Sequence, residues 1–169
     1  AAFAECPSLA SVILPDGITK IGNGTFGKCT SLTDIAIPES ITEIDANAFE
    51  GCTSLQSIAI PESVTEIGGG AFYGCEKLTN ITLPVGITEI GKSTFYNCGA
   101  LKSVTLPDSV AKIGETAFKD CTSLTSITLP DRLTEIADRA FEGCASLTSI
   151  TLPDSVTRIG DSAFGGCAN

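Results

Sequence analysis

Histidine is absent from this chain of 169 residues, and basic residues are few: ten Lys and Arg stand against twenty Asp and Glu, for a formal net charge of −10. Without histidine, the commonest general base and a principal zinc ligand are both missing. No Cys-x-x-Cys pair occurs either, so zinc has no ligand set to bind. General-base work would fall to carboxylates or lysine, but these recur at equivalent surface positions and do not converge on one point. The chain reads as non-catalytic, with no cofactor and no metal. Its acidity argues against nucleic acid or an anionic membrane as a partner. No apolar run approaches the roughly 18 residues of a membrane span, so no membrane insertion is expected. The acidity is uneven: residues 1–68 carry nine acids and two lysines, whereas residues 69–169 carry eleven acids and eight bases.

What is present is a period. Cys6, Cys29, Cys52, Cys75, Cys98, Cys121, Cys144 and Cys167 follow one another at a step of 23 residues. Phe3, Phe26, Phe49, Phe72, Phe95, Phe118, Phe141 and Phe164 stand three residues before each cysteine. A repeat of this length predicts a solenoid, in which each coil covers the next. Equivalent side chains then stack about one strand spacing apart, ~4.8 Å. Parallel side-chain vectors at that spacing disfavour disulfides, so the eight cysteines are expected as a ladder of free, mostly buried thiols.

Within a repeat, Leu55, Ile58 and Ile60 give a Leu-x-x-Ile-x-Ile spacing whose last two members alternate as a half-buried strand does. Pro61 has no N–H for a ladder and ends it. Val64 and Ile67 turn inward, Gly68-Gly69-Gly70 bends the chain, and Ala71-Phe72 re-enters the core. Seven such strands are expected near residues 9–14, 32–37, 55–60, 78–83, 101–106, 124–129 and 147–152, forming one parallel sheet. The Ala-Phe-x-x-Cys segment is too short for an α-helix and predicts a turn of 3₁₀ helix. The start, Ala1 to Cys6, reads as the tail of a repeat, and the end, Gly166 to Asn169, stops where another strand would begin. The expectation is one solenoid over residues 1–169, taken from a longer array without caps. Such ends leave end-to-end self-association open.

The Leu-x-x-Ile-x-Leu-Pro strand, the Val-x-x-Ile-Gly return and the Ala-Phe-x-x-Cys turn, as in Leu124 to Cys144, resemble BspA-like leucine-rich repeats. The resemblance covers the whole chain. It departs from the commoner leucine-rich consensus, which places Asn or Cys just after the strand, where this chain has Pro-Asp-Ser or Pro-Glu-Ser. The resemblance implies an α/β-type solenoid: a right-handed, curved leucine-rich repeat with the strands on its concave face. It also implies an extracellular or cell-surface protein of bacteria or protists, used in adhesion or contact with a protein or glycan partner.

Two pattern matches are coincidences of register. Gly86 to Ser93 satisfies the P-loop pattern, but Ile87 and Ile90 occupy core positions and no long helix is expected to follow. Gly22 to Gly27 matches the dinucleotide fingerprint, but Phe26 belongs to the buried Phe column. The post-proline acids Asp16, Glu39, Glu62, Asp108, Asp131 and Asp154 read as solvated turn formers.

On the exposed strand face, small polar columns flank each buried Ile or Val. The candidate binding patch there is Ser57, Ala59, Asn80, Thr82, Ser103 and Thr105, with Gln56 and Lys102 at its margin. The rival surface is Tyr73 with Tyr96, the only tyrosines, on the return face. Repeat four is irregular, because Val85-Gly86 replaces its acid-Ser corner. Three functions follow from these surfaces: a binding module, a spacer with no ligand of its own, or a Ser/Thr face that orders water against ice or a crystal. Asn23-Gly24-Thr25 and Asn80-Ile81-Thr82 are glycosylation sequons, relevant only in a eukaryotic secretory setting.

Overall fold

The computed structural model describes residues 1–167. The chain is a parallel-strand solenoid, and among the described residues there is no helix. Pro15, Pro38, Pro61, Pro84, Pro107, Pro130 and Pro153 mark seven coils, numbered here in that order. Each of these prolines accepts the amide three residues on, from Ile18 (3.3 Å) through Val64 (3.0 Å) to Val156 (3.1 Å). The corner after every strand is therefore a closed turn, placed where proline has removed the amide that would extend the ladder.

The strands are β1 (Lys20–Ile21), β2 (Glu43–Ile44), β3 (Glu66–Ile67), β4 (Asn80–Thr82), β5 (Glu89–Ile90), β6 (Ser103–Thr105), β7 (Lys112–Ile113), β8 (Ser126–Thr128), β9 (Glu135–Ile136) and β10 (Arg158–Ile159). They belong to two faces. On the expected strand face, β4, β6 and β8 pair in parallel, with Asn80, Ser103 and Ser126 in one rank and Thr82, Thr105 and Thr128 in another. Towards the N-terminus only single bridges continue this ladder, Ile13 to Ala36 to Ala59 to Thr82. Residues 147–152 join no ladder. The expectation of seven equal strands is thus corrected to three, extended by bridges. The amides beside the ladder explain the difference: Thr33, Gln56 and Thr79 bond the preceding coil at 3.4, 3.3 and 3.2 Å, and Lys102 does so at 3.0 Å. Ala36 and Ala59 stand where later coils have Thr, and Ala suits a pleated surface less well.

The second face was read from the sequence only as a return. It carries the other seven strands as parallel ladders, β1-β2-β3 and β5-β7-β9-β10. Each of these strands is a two-residue Glu-Ile or basic-Ile pair, too short to display period two in sequence.

The expected 3₁₀ turn is also corrected. In the Phe–Cys segment, amides alternate between two kinds of partner. Thr25, Gly27 and Cys29 bond the carbonyl three residues back, while Gly24 and Phe26 bond Ala46 and Ala48 of the next coil. The turns closed by Thr25 and Cys29 carry a left-handed residue at their third position, Gly24 and Lys28, as a type II turn does. Asn47, Gly70, Ser93, Thr116, Arg139 and Ser162 supply one such column, at φ of 54–66°. A run of 3₁₀ helix would keep φ negative throughout, and it would remove the amides that tie this face to the neighbouring coil.

The core between the faces is the set of predicted columns. Phe26, Phe49, Phe72, Phe95, Phe118 and Phe141 are all fully buried, and consecutive rings from Phe3 to Phe164 stack at 5.2–5.6 Å. All eight cysteines are free, as expected. From Cys29 to Cys167 each thiol donates to the carbonyl of the Phe 26 residues earlier, at 3.1–3.3 Å. That carbonyl also accepts the cysteine amide of its own coil, as Phe26 does from Cys29 at 3.1 Å. Cysteine therefore fills a small apolar site and supplies a second link between coils.

Candidate functional site

The six candidate residues of the strand face come together. Ala59, Thr82 and Thr105 form one exposed column through the bridge Ala59–Thr82 and the pair Thr82–Thr105. Ser57, Asn80 and Ser103 form the parallel column, with Asn80 and Ser103 in direct register. Between the columns Ile58, Ile81 and Val104 point inward and are buried, so alternation fixes which atoms face out. Around coils two to four this face holds an open depression of about 610 Å³, lined by Asp34, Ala36, Ser57, Ala59, Asn80 and Thr82 among others. Its exposed groups are hydroxyls, one amide, one carboxylate and two methyl groups. It offers hydrogen bonds and flat apolar spots, without an aromatic anchor. At its margin Thr79 donates its hydroxyl to the Gln56 carbonyl at 3.3 Å and accepts from the Asn80 amide at 3.3 Å. These bonds hold the Asn80 side chain to one orientation.

The rival tyrosines also meet. The rings of Tyr73 and Tyr96 lie 4.8 Å apart, tilted by 58°, and the Lys119 ammonium sits 5.9 Å from the centre of the Tyr96 ring. Lys119 in turn pairs with Glu142 at 3.1 Å. Both tyrosines are partly covered by this arrangement, and Tyr73 is the more exposed.

The remaining sequence candidates are placed as follows. Residues 86–93 run from a proline turn into β5 and on into turns, and Lys92 is an exposed lysine paired with Glu115 at 2.9 Å. Phe26 is buried within the Gly22–Gly27 match. Glu62, one of the post-proline acids, accepts the Val85 amide of the next coil at 3.1 Å. That acid is therefore also a backbone cap, a role the sequence reading missed because it needs the coil-to-coil register.

A charged column on the second face was missed as well. Lys20 pairs with Glu43 (2.8 Å) and Asp45 (3.1 Å), Lys112 with Glu135 (3.6 Å), and Arg158 with Glu135 and Asp138. The hydrogen bond from Lys20 holds the Asp45 carboxyl below the usual carboxylate range, and the bonds from Glu43 and Asp45 raise Lys20. Such exposed pairs contribute little to stability individually.

The buried thiols are poor nucleophiles. Burial pushes Cys52 and Cys144 up to about 12, and it raises Cys75, Cys98 and Cys121 well above the ordinary thiol value. The reactive thiolate is therefore scarce at neutral pH. Among the described residues no three His, Cys, Asp or Glu side chains are placed to hold a metal ion.

With this geometry in hand, similarity to known proteins is informative. A family model described as the BspA type leucine rich repeat region matches six copies, over residues 1–122 and 88–169. The crystal structure of a T. pallidum leucine rich repeat protein is 38% identical, with a TM-score of 0.88 over 94% of this chain and 76% of that one. A leucine-rich repeat protein from Eubacterium ventriosum is 28% identical, with a TM-score of 0.80, covering 95% of this chain and 43% of its own. A leucine rich cell surface protein from Faecalibacterium prausnitzii is 35% identical, with a TM-score of 0.63, covering 98% of this chain and 53% of its own. The chain thus spans about half the length of the last two. No curated protein matches the sequence.

Proposed function

The chain belongs to the BspA type of leucine-rich repeat proteins, and from that premise we propose that it is a non-catalytic interaction module that binds a protein or glycan partner at a cell surface. The observation that carries the reading is the strand face. Its two exposed columns, Ser57-Asn80-Ser103 and Ala59-Thr82-Thr105, are held in register by backbone ladders and bridges. A recognition surface gains from such fixed spacing, because little side-chain or loop ordering remains to oppose binding. The cell-surface placement draws on the Faecalibacterium prausnitzii relative, which is described as a cell surface protein.

The patch lacks the Trp, Tyr and Arg anchors that dominate tight interfaces. A single copy therefore binds weakly, and several copies displayed together gain avidity without new contacts. The partner's chemistry follows from the lining: hydroxyl and amide groups of a glycan, or backbone groups of a protein loop, match rows of Ser, Thr and Asn.

The test is binding of the purified chain, displayed in multivalent form on beads, to glycan and protein arrays. Two double variants follow: Asn80→Arg with Thr82→Arg on the strand face, and Tyr73→Ala with Tyr96→Ala on the return face. The reading expects the arginine pair to lower binding at least ten-fold and the alanine pair to leave it intact. The opposite pattern transfers the site to the tyrosines. Absence of any binder returns the chain to the role of a spacer.

A further inference from the structure

Six joints connect the seven coils, and one of them differs from the rest on the second face. At every other joint, two backbone bonds close this flank. Between coils one and two they run from Thr42 to Thr19 (2.8 Å) and from Asp45 to Ile21 (2.9 Å). Between coils two and three, Thr65 bonds Thr42 (3.0 Å) and Gly68 bonds Ile44 (2.8 Å). Between coils four and five, Ala111 bonds Thr88 (2.9 Å) and Gly114 bonds Ile90 (2.8 Å), and the pattern continues to Gly160 and Ile136 (2.8 Å). The corresponding bonds from Thr88 to Thr65 and from Gly91 to Ile67 are not formed. The ladder stops at β3 and restarts at β5. The space between them, lined by Thr65, Glu66, Ile67, Thr88, Glu89 and Gly91 among others, is a cleft of about 530 Å³.

Three sequence features coincide at the open joint and at no other. Ser63, Ser109 and Ser155 each donate a hydroxyl to a carbonyl of the coil before, at 2.5–2.7 Å; Gly86 of coil four cannot, and although Ser40 and Arg132 at this position also lack the bond at closed joints, only at Gly86 does its loss coincide with the two features that follow. Glu66 and Glu89 hold equivalent positions on the two sides of the joint, and among the described residues neither has an ion-pair partner, whereas Glu43, opposite Glu66 at the closed joint before, is paired with Lys20. Like charges placed opposite one another repel. Gly68, Gly69 and Gly70 of coil three then leave the backbone beside the gap without side chains to pack.

The backbone separation follows. A Cβ built on Gly68 would lie 2.3 Å from the Ala46 nitrogen, on Gly114 2.8 Å from the Lys92 nitrogen, and on Gly160 2.3 Å from the Asp138 nitrogen. On Gly91 the equivalent distance, to the Gly69 nitrogen, is 3.3 Å.

We propose that this joint is a hinge built into the solenoid. Coils one to three and coils four to seven move as two stacks that open and close on the flank between β3 and β5. The joint is open on that flank alone. Beside the open flank Gly70 and Phe72 bond Lys92 and Thr94; the far side stays tied, where Phe72 and Phe95 stack at 5.5 Å, Gly74 bonds Tyr96 and Thr79 bonds Gln56. The contacts of the far side are the pivot, and the bonds of Gly70 and Phe72 break when the flank opens. Ala59 and Thr82, in the middle of the strand face, belong to the two coils that meet there and stay bridged, so opening tilts the two halves of the face about them while the spacing within each half is kept.

Amide hydrogen exchange followed residue by residue by NMR tests the hinge. Static exposure of the cleft predicts fast exchange at Thr88 and Gly91 alone. Opening predicts more: Gly70 and Phe72, whose bonds are formed, lose protection whenever the flank opens. Their protection factors should fall at least ten-fold below those of Ser93 and Phe95, which make the equivalent bonds across the closed joint between coils four and five. A second protein, Gly86→Ser with Glu66→Lys, restores the hydroxyl opposite the Val64 carbonyl and places a base between Glu43 and Glu89. In it, Gly70 and Phe72 should recover protection at least ten-fold. Equal protection at the two joints in the unmodified protein, or no recovery in the repaired one, overturns the proposal.

Discussion

The joint between coils three and four and the joint between coils four and five share the same register, the same Phe and Cys links and the same turn bonds, yet one flank is open and the other closed. At the closed joint, Ser109 reaches both Val85 (2.7 Å) and Ile87 (2.5 Å), Lys92 pairs with Glu115 (2.9 Å), and the hydroxyls of Ser93 and Thr116 meet at 2.8 Å. At the open joint the corresponding residues are Gly86, Gly69 and Gly70. The repeat core is therefore sufficient to stack coils, while the surface positions decide how completely each pair closes.

The core contribution is the largest and is common to both joints. Phe95→Ala removes the ring that stacks on Phe72 across the open joint and on Phe118 across the closed one. Neither neighbour is free to move, so the cost is expected at about 3–5 kcal/mol, read by urea unfolding. A change below about 1 kcal/mol would mean that the spine does not carry the open joint.

The thiols give a graded test on both sides. Cys52 and Cys144 are pushed up to about 12 by burial, above the ordinary thiol value of 9.0. The unfolded chain therefore loses these protons first. Their stabilising effect is complete below about pH 9 and declines as pH rises towards 12, by on the order of 1.4 kcal/mol per pH unit for each such thiol. Unfolding free energies measured from pH 8 to 11 should fall, and Cys52→Ala should flatten the slope. A flat profile would show that the thiols are not buried.

A smaller effect belongs to the closed joint alone. Ser109→Ala deletes both hydroxyl bonds and should cost about 1 kcal/mol, with faster hydrogen exchange at Ala111 and Gly114. If exchange at those amides is unchanged, the serine is not what closes the flank.

The stack itself was legible in the sequence because Phe, Cys and Leu recur at one step, and a buried column tolerates little else. The second face was not. Glu66-Ile67 is a strand only because Glu43-Ile44 lies beside it, and nothing within coil three displays that pairing. The left-handed turn residues were hidden too, since Thr116 and Arg139 are types that seldom mark positive φ; their conformation is set by the bonds to the neighbouring coil. For the candidate patch, alternation correctly placed Asn80, Thr82, Ser103 and Thr105 outward, while the weakening of the ladder towards Ala36 needed coordinates. The corner Val85-Gly86 stood out as irregular in sequence. Its consequence lies in the distance between two backbones, a quantity no single repeat encodes.

The claim that surface positions decide closure is tested most directly by one pair of variants, Gly91→Ala and Gly114→Ala, compared by urea unfolding. Neither glycine has positive φ, so alanine gains about 0.4–1 kcal/mol through the unfolded chain in both. At Gly114 the new Cβ meets the backbone of Ile90, Gly91 and Lys92 at 2.8–2.9 Å and must displace a formed ladder, at a cost of about 1–3 kcal/mol. At Gly91 it meets Gly69 at 3.3 Å, across a joint that is already open. The account predicts a clear loss of stability for Gly114→Ala and no loss for Gly91→Ala; equal losses in the two variants would contradict it.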